Sequence, residues 1–526
     1  MYVSDLSGPL PGHSGSIGTM KGWWTHRLFW IALAFASVVP FLLSPLPPVA
    51  DLLSHIGRYH IMVFGDRSEF LQRYYSFHWT LIGNLGQDLL VYPLVPLLGA
   101  EKAGFLLTAL IPPVTVLGIR QLSIAAHGEV QPSALLALPF AYSFPFVFGF
   151  VNYSTGLALS LWVLAAWYRW RDHKSLAGIA LFVTLATLVW LVHMAAWAVL
   201  IVAIGSVELA RAYKMLGWRP VQVAWKAFMR VLPMIAVPVV LTLAWRDGVD
   251  GQSGLDFSQH WLKFHWIAFI LRDQSMWFDL ASLFALGLTG IWLLATRNRI
   301  EAGLGLAAAV LVVVYAVIPP NVLNSYFADL RLLTPLAIFA LTAIGVNRLS
   351  YRQKTILAAG AVILFSIRLG LTTTGWIDRG RHLTEDLKAL DHVERGARIA
   401  VLAPTRMFES WDNTGLSHVA SLAIVRREAF VNTEWDIPGS QLMRPVYNAG
   451  QDFNSDKSTK LQMKAGKEGR TVEDMLAKLP RSRFDYVWLF KTDVPQDQRQ
   501  GFEEKFRNGE SVLYAIARPP VSQSAD

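Results

Sequence analysis

Apolar positions run in long blocks separated by short polar breaks from residue 28 to about residue 374. The blocks fall at 28–46, 102–120, 133–149, 152–168, 176–190, 192–210, 229–245, 279–296, 302–319, 331–347 and 354–374. A helix needs about 20 predominantly apolar residues to cross a bilayer core, so the pattern predicts a polytopic α-helical membrane protein with about 11 spans. The stretch 176–210 reads either as one long tilted helix or as two shorter ones broken near His193. Beyond residue 375 the pattern changes. Residues 376–526 mix charges with soluble-type patterning: Leu383–Arg395 reads as an amphipathic helix, Val472–Leu479 as another, and Arg398–Leu402, Tyr486–Phe490 and Val512–Ala517 as strands. Helix and strand alternating at this length predict a small α/β domain.

Charge settles the reading of 176–210. Basic clusters occur at Arg169–Lys174, Arg211–Lys226, Arg297–Arg299 and Arg348–Lys354. With two spans in 176–210, all of them lie on one side together with the N-terminal segment, and the positive-inside rule makes that side the cytoplasm. A single span would scatter them to both sides. The expected organisation is a Gly-, Ser- and Pro-rich cytoplasmic tail over residues 1–26, disordered and leading into an uncleaved first anchor. A transmembrane domain follows over 27–375, and the soluble α/β domain over 376–526 lies outside the cytoplasm. The first outer loop, 47–101, the 246–278 loop and Asn321–Asp329 share that outer side.

The chain is 53% hydrophobic and 16% charged, against about 25% charged residues in soluble domains. Twenty Trp and 29 Phe supply aromatic mass suited to membrane interfaces. The net charge of +9 sits in short loops between apolar spans, where it reports topology and contact with anionic lipid, not nucleic acid. There is no cysteine, which excludes disulfides, thiolate zinc sites and a Cys nucleophile. P-loop, dinucleotide and HExxH motifs are absent, and the first outer loop has no DxD or ExD pair, so a divalent-metal site is not indicated.

Candidate chemistry gathers in the first outer loop. Pro47 and Pro48 end the first span and let a new helix begin. Asp51, His55 and Arg58 follow at i, i+4 and i+7, on one face of that helix. The expected picture is an amphipathic helix on the outer surface. Its carboxylate would suit a general base toward a hydroxyl acceptor, and its neighbours would suit phosphate charge. The plain alternative is a solvated interfacial face with an Asp51–His55 ion pair. Asp88 reads either as a second acid near the bilayer surface or as a helix-start residue favoured by the macrodipole. Arg331, two residues after Asp329, suits a lipid-linked phosphate, or else is a snorkelling Arg paired with Asp329. His193 is an ionisable group inside an apolar stretch, either functional or a hydrogen-bonded core residue. Asn152, in Gly149-Phe150-Val151-Asn152-Tyr153, reads as a polar substrate contact or as the turn residue that closes a helical hairpin. The 246–278 loop carries Asp247, Asp250, Asp256, His260, His265 and Trp266, and is long enough to cover a site.

This layout resembles the GT-C superfamily of integral-membrane glycosyltransferases, which use polyprenyl-phosphate sugars. Asp51-x3-His55-x2-Arg58, Tyr74-Tyr75, Trp79, Asn84-Leu85-x2-Asp88 and Gly149-Phe150-x-Asn152-Tyr153 look like a bacterial group of GT-C-like membrane proteins, and the resemblance covers roughly residues 27–374. It implies a multi-pass protein of the bacterial inner membrane with its C-terminal domain in the periplasm. It also implies a polyprenyl-phosphate sugar as donor and a glycan, lipid or protein as acceptor. An Asp early in the first outer loop serves these enzymes as catalytic base, which falls on Asp51. The basic residue that holds the donor phosphate falls on Arg58 or Arg331, with His55, Asp88, His193 and Asn152 as supporting contacts. The acidic pair of metal-dependent members is missing here, which favours a route without metal. Two other classes compete. A transporter or flippase of a lipid-linked or anionic substrate would be expected to show internal repeats and midplane charges, and no repeat is found. A non-catalytic assembly protein for envelope polysaccharide would work through residues 376–526.

Overall fold

A computed structural model describes residues 22–172, 175–246, 255–258, 260–322, 325–404, 411, 416–437, 439, 441–450, 452–456, 459–461, 470–509 and 511–517. Most of the N-terminal tail, and Asp247 and Asp250 of the 246–278 loop, lie outside the described residues. Helical structure occupies each apolar block. Among the described residues, five helices are long and apolar enough to cross a membrane: Ala100–His127, Met194–Leu216, Pro220–Ala244, Met276–Ala295 and Tyr351–His392. Shorter apolar helices cover Arg27–Leu43, Pro132–Phe148, Leu176–Val192, Ala302–Val317 and Leu330–Thr342. These helices make the chain a multi-pass membrane protein.

The chain between 176 and 216 forms two helices, Leu176–Val192 and Met194–Leu216. His193 between them is extended, at φ −164° and ψ 122°, and its Nδ1 accepts a hydrogen bond from Ala195 N at 3.1 Å. A side chain that caps the next helix explains why the chain breaks at a His and not at a Gly or Pro. The 83–85 loop closes over this break: Met194 N donates to Gly83 O and Leu85 N to Leu191 O, both at 2.8 Å.

The change of composition near residue 376 does not coincide with a break in structure. One helix runs from Tyr351 to Asp386, 36 residues, or roughly 54 Å at 1.5 Å per residue. That exceeds a bilayer core of about 30 Å, so the helix continues past the apolar layer. The amphipathic helix expected over Leu383–Arg395 is therefore the end of this long helix followed by a 3-10 turn, Leu387–His392. No proline interrupts 351–386, and nothing else in the sequence stops helix propagation at the polarity change.

Past the long helix, strands Phe502–Asn508, Ser511–Ile516, Tyr486–Phe490, Arg398–Pro404 and Phe430–Val431 lie side by side in that order, and Lys460–Leu461 also pairs with Arg398–Pro404. The central pair is parallel, with Tyr486 opposite Ile399 and Leu489 opposite Leu402. Tyr486–Phe490 is buried throughout, as expected of a strand covered on both faces.

This sheet region is tied to the first outer loop. Tyr75–Phe77 pairs antiparallel with Met443–Pro445. The Tyr74 hydroxyl donates to Gly396 O at 2.5 Å, and Arg426 Nε and Nη2 each reach the Glu101 carboxylate at 2.9 Å. The 416–427 segment packs directly on the Leu52–Phe64 helix. A Cβ on Gly57 would lie 3.0 Å from Ile424 Cδ1 and 3.3 Å from Ser421 O, so glycine permits the close approach.

Candidate functional site

Asp51 is the residue at which the Leu52–Phe64 helix begins, and its side chain does not cap that helix. Its backbone is held from the other side. Asp51 N donates to Phe148 O at 3.1 Å and Ala50 N to Val147 O at 3.3 Å. Gly149, at φ +105°, packs so closely that a Cβ there would lie 2.6 Å from Asp51 N. The Gly149–Tyr153 motif is thus the seat of Asp51. The carboxylate is 14% exposed, with Oδ1 3.8 Å from His418 Nε2.

The helix is not the surface helix with a polar stripe that its spacing suggested. Ten of its 13 residues are buried, His55 and Arg58 among them. Residues 416–441 cover the face that would otherwise meet solvent. Ser54 Oγ donates to Glu434 Oε2 at 2.8 Å, and the His55 ring lies 5.2 Å from that of Trp435. Burial first, then the charges of Arg58 and His418, hold the His55 imidazole well below its usual range, so it is neutral at pH 7. The imidazole that lies within ion-pair range of the Asp51 carboxylate is that of His418.

Arg58 and Asp88 are each other's partners. Arg58 Nη2 donates to Asp88 Oδ2 at 3.0 Å, and Nε lies 2.9 Å from Oδ1, with side chains 4% and 2% exposed. Arg58 Nη1 also donates to Gln441 Oε1. Burial outweighs Arg58 and holds the Asp88 carboxyl above its usual range. The Asn152 amide is bonded to backbone and side chains alike: its Oδ1 accepts from Gln87 N at 2.6 Å, its Nδ2 donates to Asn84 O and Oδ1, both at 3.0 Å, and it also hydrogen-bonds the Asp88 carboxylate. These bonds join the start of the Val151–Trp170 helix to the loop that carries Asp88.

Arg331 is buried on the other side of the Gly149–Tyr153 turn. Its guanidinium carbon lies 4.2 Å from the centroid of Phe150, and Nη1 donates to Tyr326 O at 2.5 Å. Its charge is felt by Asp51. Asp329 is engaged elsewhere, accepting from Leu330 N at 2.9 Å and lying 3.5 Å from Lys263 Nζ. The Tyr153 hydroxyl donates to Arg331 O, and the His193 ring lies 5.5 Å from that of Tyr153. Asp51, His55 and Arg331 therefore share one neighbourhood around the turn. The Arg58–Asp88 pair sits one helical turn beyond it, and His193 stands behind Tyr153.

His418, Glu434, Trp435 and Gln441, all from beyond residue 376, join this site without having stood out in the sequence. The one signal was the polar run Asn432-Thr433-Glu434-Trp435-Asp436 directly after a strand. Glu434 is fully buried, and burial pushes its carboxyl up to about 7 against the hydrogen bonds from Ser421 and Ser54 and the charge of Arg58. In the unfolded chain a Glu titrates near 4.3. Between that value and about 7 the folded state holds a proton that the unfolded state has released, so stability falls as pH rises through this window. The full loss is roughly 4 kcal/mol. Thermal unfolding in detergent from pH 4.5 to 8 is expected to show this decline, and Glu434→Gln to flatten it.

The 246–278 loop has a structural role near its end. Arg272 Nε donates to Trp411 O at 2.8 Å, Asp273 N to Asp279 Oδ2 at 2.8 Å, and Arg368 Nη1 to Asp279 Oδ1 at 2.8 Å. These bonds join the loop to the long helix and to Trp411. Among the described residues, no three His, Asp or Glu side chains come together to hold a metal ion.

No family model and no curated protein matches this chain. Among solved structures it is similar to ArnT from Cupriavidus metallidurans in the apo state, at 12% identity and TM-score 0.49, covering 94% of this chain and 98% of that one. It is similar to the same protein bound to undecaprenyl phosphate, at 11% identity and TM-score 0.45, covering 94% and 99%. It is also similar to a mutant of the arabinofuranosyltransferase AftD from Mycobacteria, at 15% identity and TM-score 0.42, covering 94% of this chain and 42% of that one. These are likenesses of overall layout, and no residue role is carried over from them.

Proposed function

We propose that this chain is a GT-C-type membrane glycosyltransferase. It transfers a sugar from a polyprenyl-phosphate donor to a glycan, lipid or protein acceptor of the envelope, on the periplasmic side. The observation that carries the reading is Asp51: a partly exposed carboxylate, unused by its own helix and seated rigidly against Gly149, with the buried cation Arg331 close by. The spacing motifs that resemble GT-C members fall on these same elements.

In the transfer, the acceptor hydroxyl gives its proton to the Asp51 carboxylate as its oxygen attacks the anomeric carbon of the sugar. The bond from that carbon to the phosphate oxygen breaks, the configuration inverts, and polyprenyl phosphate leaves with both electrons. Arg331 stabilises the charge that grows on the phosphate. It suits this better than Arg58, whose guanidinium is already neutralised by Asp88. On this reading the 11 spans carry the first outer loop and the sheet region to the same outer face, at the level where a lipid phosphate sits.

The test uses the purified protein in proteoliposomes with a panel of undecaprenyl-phosphate-linked radiolabelled sugars and an envelope extract as acceptor. Label is expected to leave the lipid fraction for the acceptor fraction with one donor. Donor that stays chemically intact while it crosses the bilayer would overturn the proposal in favour of a transporter.

A further inference from the structure

We propose that His418 is a positioning residue for Asp51. It is supplied to the site by the segment beyond the long helix, and it sets the direction and proton affinity of the base. The inference rests on the reading of Asp51 given above and adds a group from a part of the chain that the resemblance does not cover.

His418 is placed with care. It lies in the 3-10 run Leu416–Ser421, which packs on the Leu52–Phe64 helix across Gly57. The same segment is bolted to that helix by Ser54–Glu434 and Arg58–Gln441. The imidazole is 3% exposed, and its ring lies 4.7 Å from that of Trp435, which in turn contacts His55. Its Nε2 is directed at Asp51 Oδ1, 3.8 Å away. Asp51 has its backbone fixed from the opposite side, so only two side-chain torsions remain to aim the carboxylate, and His418 stands where it limits them.

The separation is longer than a hydrogen bond and within ion-pair range, so the ring limits the carboxylate by packing at any pH and by charge only when it is protonated. Among the described residues, Arg331 from across the Gly149–Tyr153 turn couples electrostatically to Asp51, and neutral His55 from the same helix couples to His418. A neutral imidazole limits the carboxylate by contact and leaves its charge unchanged. A protonated one draws the carboxylate toward itself and lowers its affinity for the acceptor's proton. Because the protonated fraction grows as pH falls, His418 adds an acid limb to the transfer rate.

The test measures kcat and KM for the undecaprenyl-phosphate-linked donor in proteoliposomes from pH 5 to 8.5, with wild type, His418→Ala, His418→Gln and Asp51→Asn prepared in parallel and their Tm recorded. At pH 8, His418→Ala is expected to lower kcat by about 10–100-fold with KM within about twofold, the signature of lost orientation and not of lost donor binding. His418→Gln keeps a side chain of similar reach and bulk, so it is expected to restore most of the rate and to lose the part of the acid limb that belongs to the imidazole. Wild-type kcat and pH profile in His418→Ala overturn the inference. Equal losses in the Ala and Gln variants, tracking a fall in Tm, also overturn it, since they mark a purely structural role. If Asp51→Asn is inactive while His418→Ala behaves as wild type, only the role of His418 fails. If Asp51→Asn is fully active, the reading of Asp51 as base fails with it.

Discussion

Asp51→Asn is expected to abolish most transfer and leave the protein folded. General-base catalysis contributes about 10²–10⁴-fold, and a carboxamide cannot accept the acceptor's proton, so kcat falls by that factor while KM for the lipid donor changes little. Stability is preserved for a specific reason. The Asp51 side chain does not cap the Leu52–Phe64 helix, and its backbone is seated by Phe148 O and against Gly149. Asparagine keeps the volume and those contacts. The check is a single-turnover transfer assay beside a thermal unfolding curve. A normal Tm with a rate within threefold of wild type would sink the proposed chemistry.

The sequence reported local order well and long-range cover poorly. Hydropathy placed the apolar blocks, because a bilayer imposes its thickness on each helix separately. Helical spacing put Asp51, His55 and Arg58 on adjoining turns, because that relation is local. Whether that face met water was a different question. The cover comes from Glu434, 380 residues away from Ser54, and from Gln441, 383 residues away from Arg58. No periodicity within the helix reports such a partner. The same limit explains Asp329. Its neighbour in sequence is Arg331, but the structure gives it to Lys263 on another segment. It explains the end of the long helix too, since a change from apolar to polar residues marks a change of surroundings and not a change of backbone.

Asn152 is a case in which the motif left two roles open, a polar substrate contact and a turn residue. The oxygen of its side-chain amide accepts from Gln87 N and the nitrogen donates to Asn84 O, on a loop some 65 residues earlier. Its consequence for function is indirect: the bridge sets the loop that delivers Asp88 to Arg58.

That pair carries the largest stability effect in the outer loop. Asp88→Ala removes the carboxylate from a guanidinium only 4% exposed and leaves Gln441 as its polar partner there. Breaking one side of a buried ion pair costs about 3–5 kcal/mol, because the remaining charge stays in a poor solvent. The Tm of Asp88→Ala in detergent is expected to drop sharply, and the contact between the Leu52–Phe64 helix and residues 416–441 to loosen first. Replacing both partners by apolar residues of similar size, Arg58→Met with Asp88→Leu, removes the buried charge altogether and is expected to recover most of the loss. The double variant also separates the two cations considered for the donor phosphate. If Arg58 only secures the fold, the recovered protein binds the lipid donor with a KM close to wild type, and Arg331→Gln alone raises it. If Arg58 instead holds the phosphate, stability returns in the double variant while donor KM remains high, and Asp88 is then the residue that keeps that guanidinium in place between turnovers.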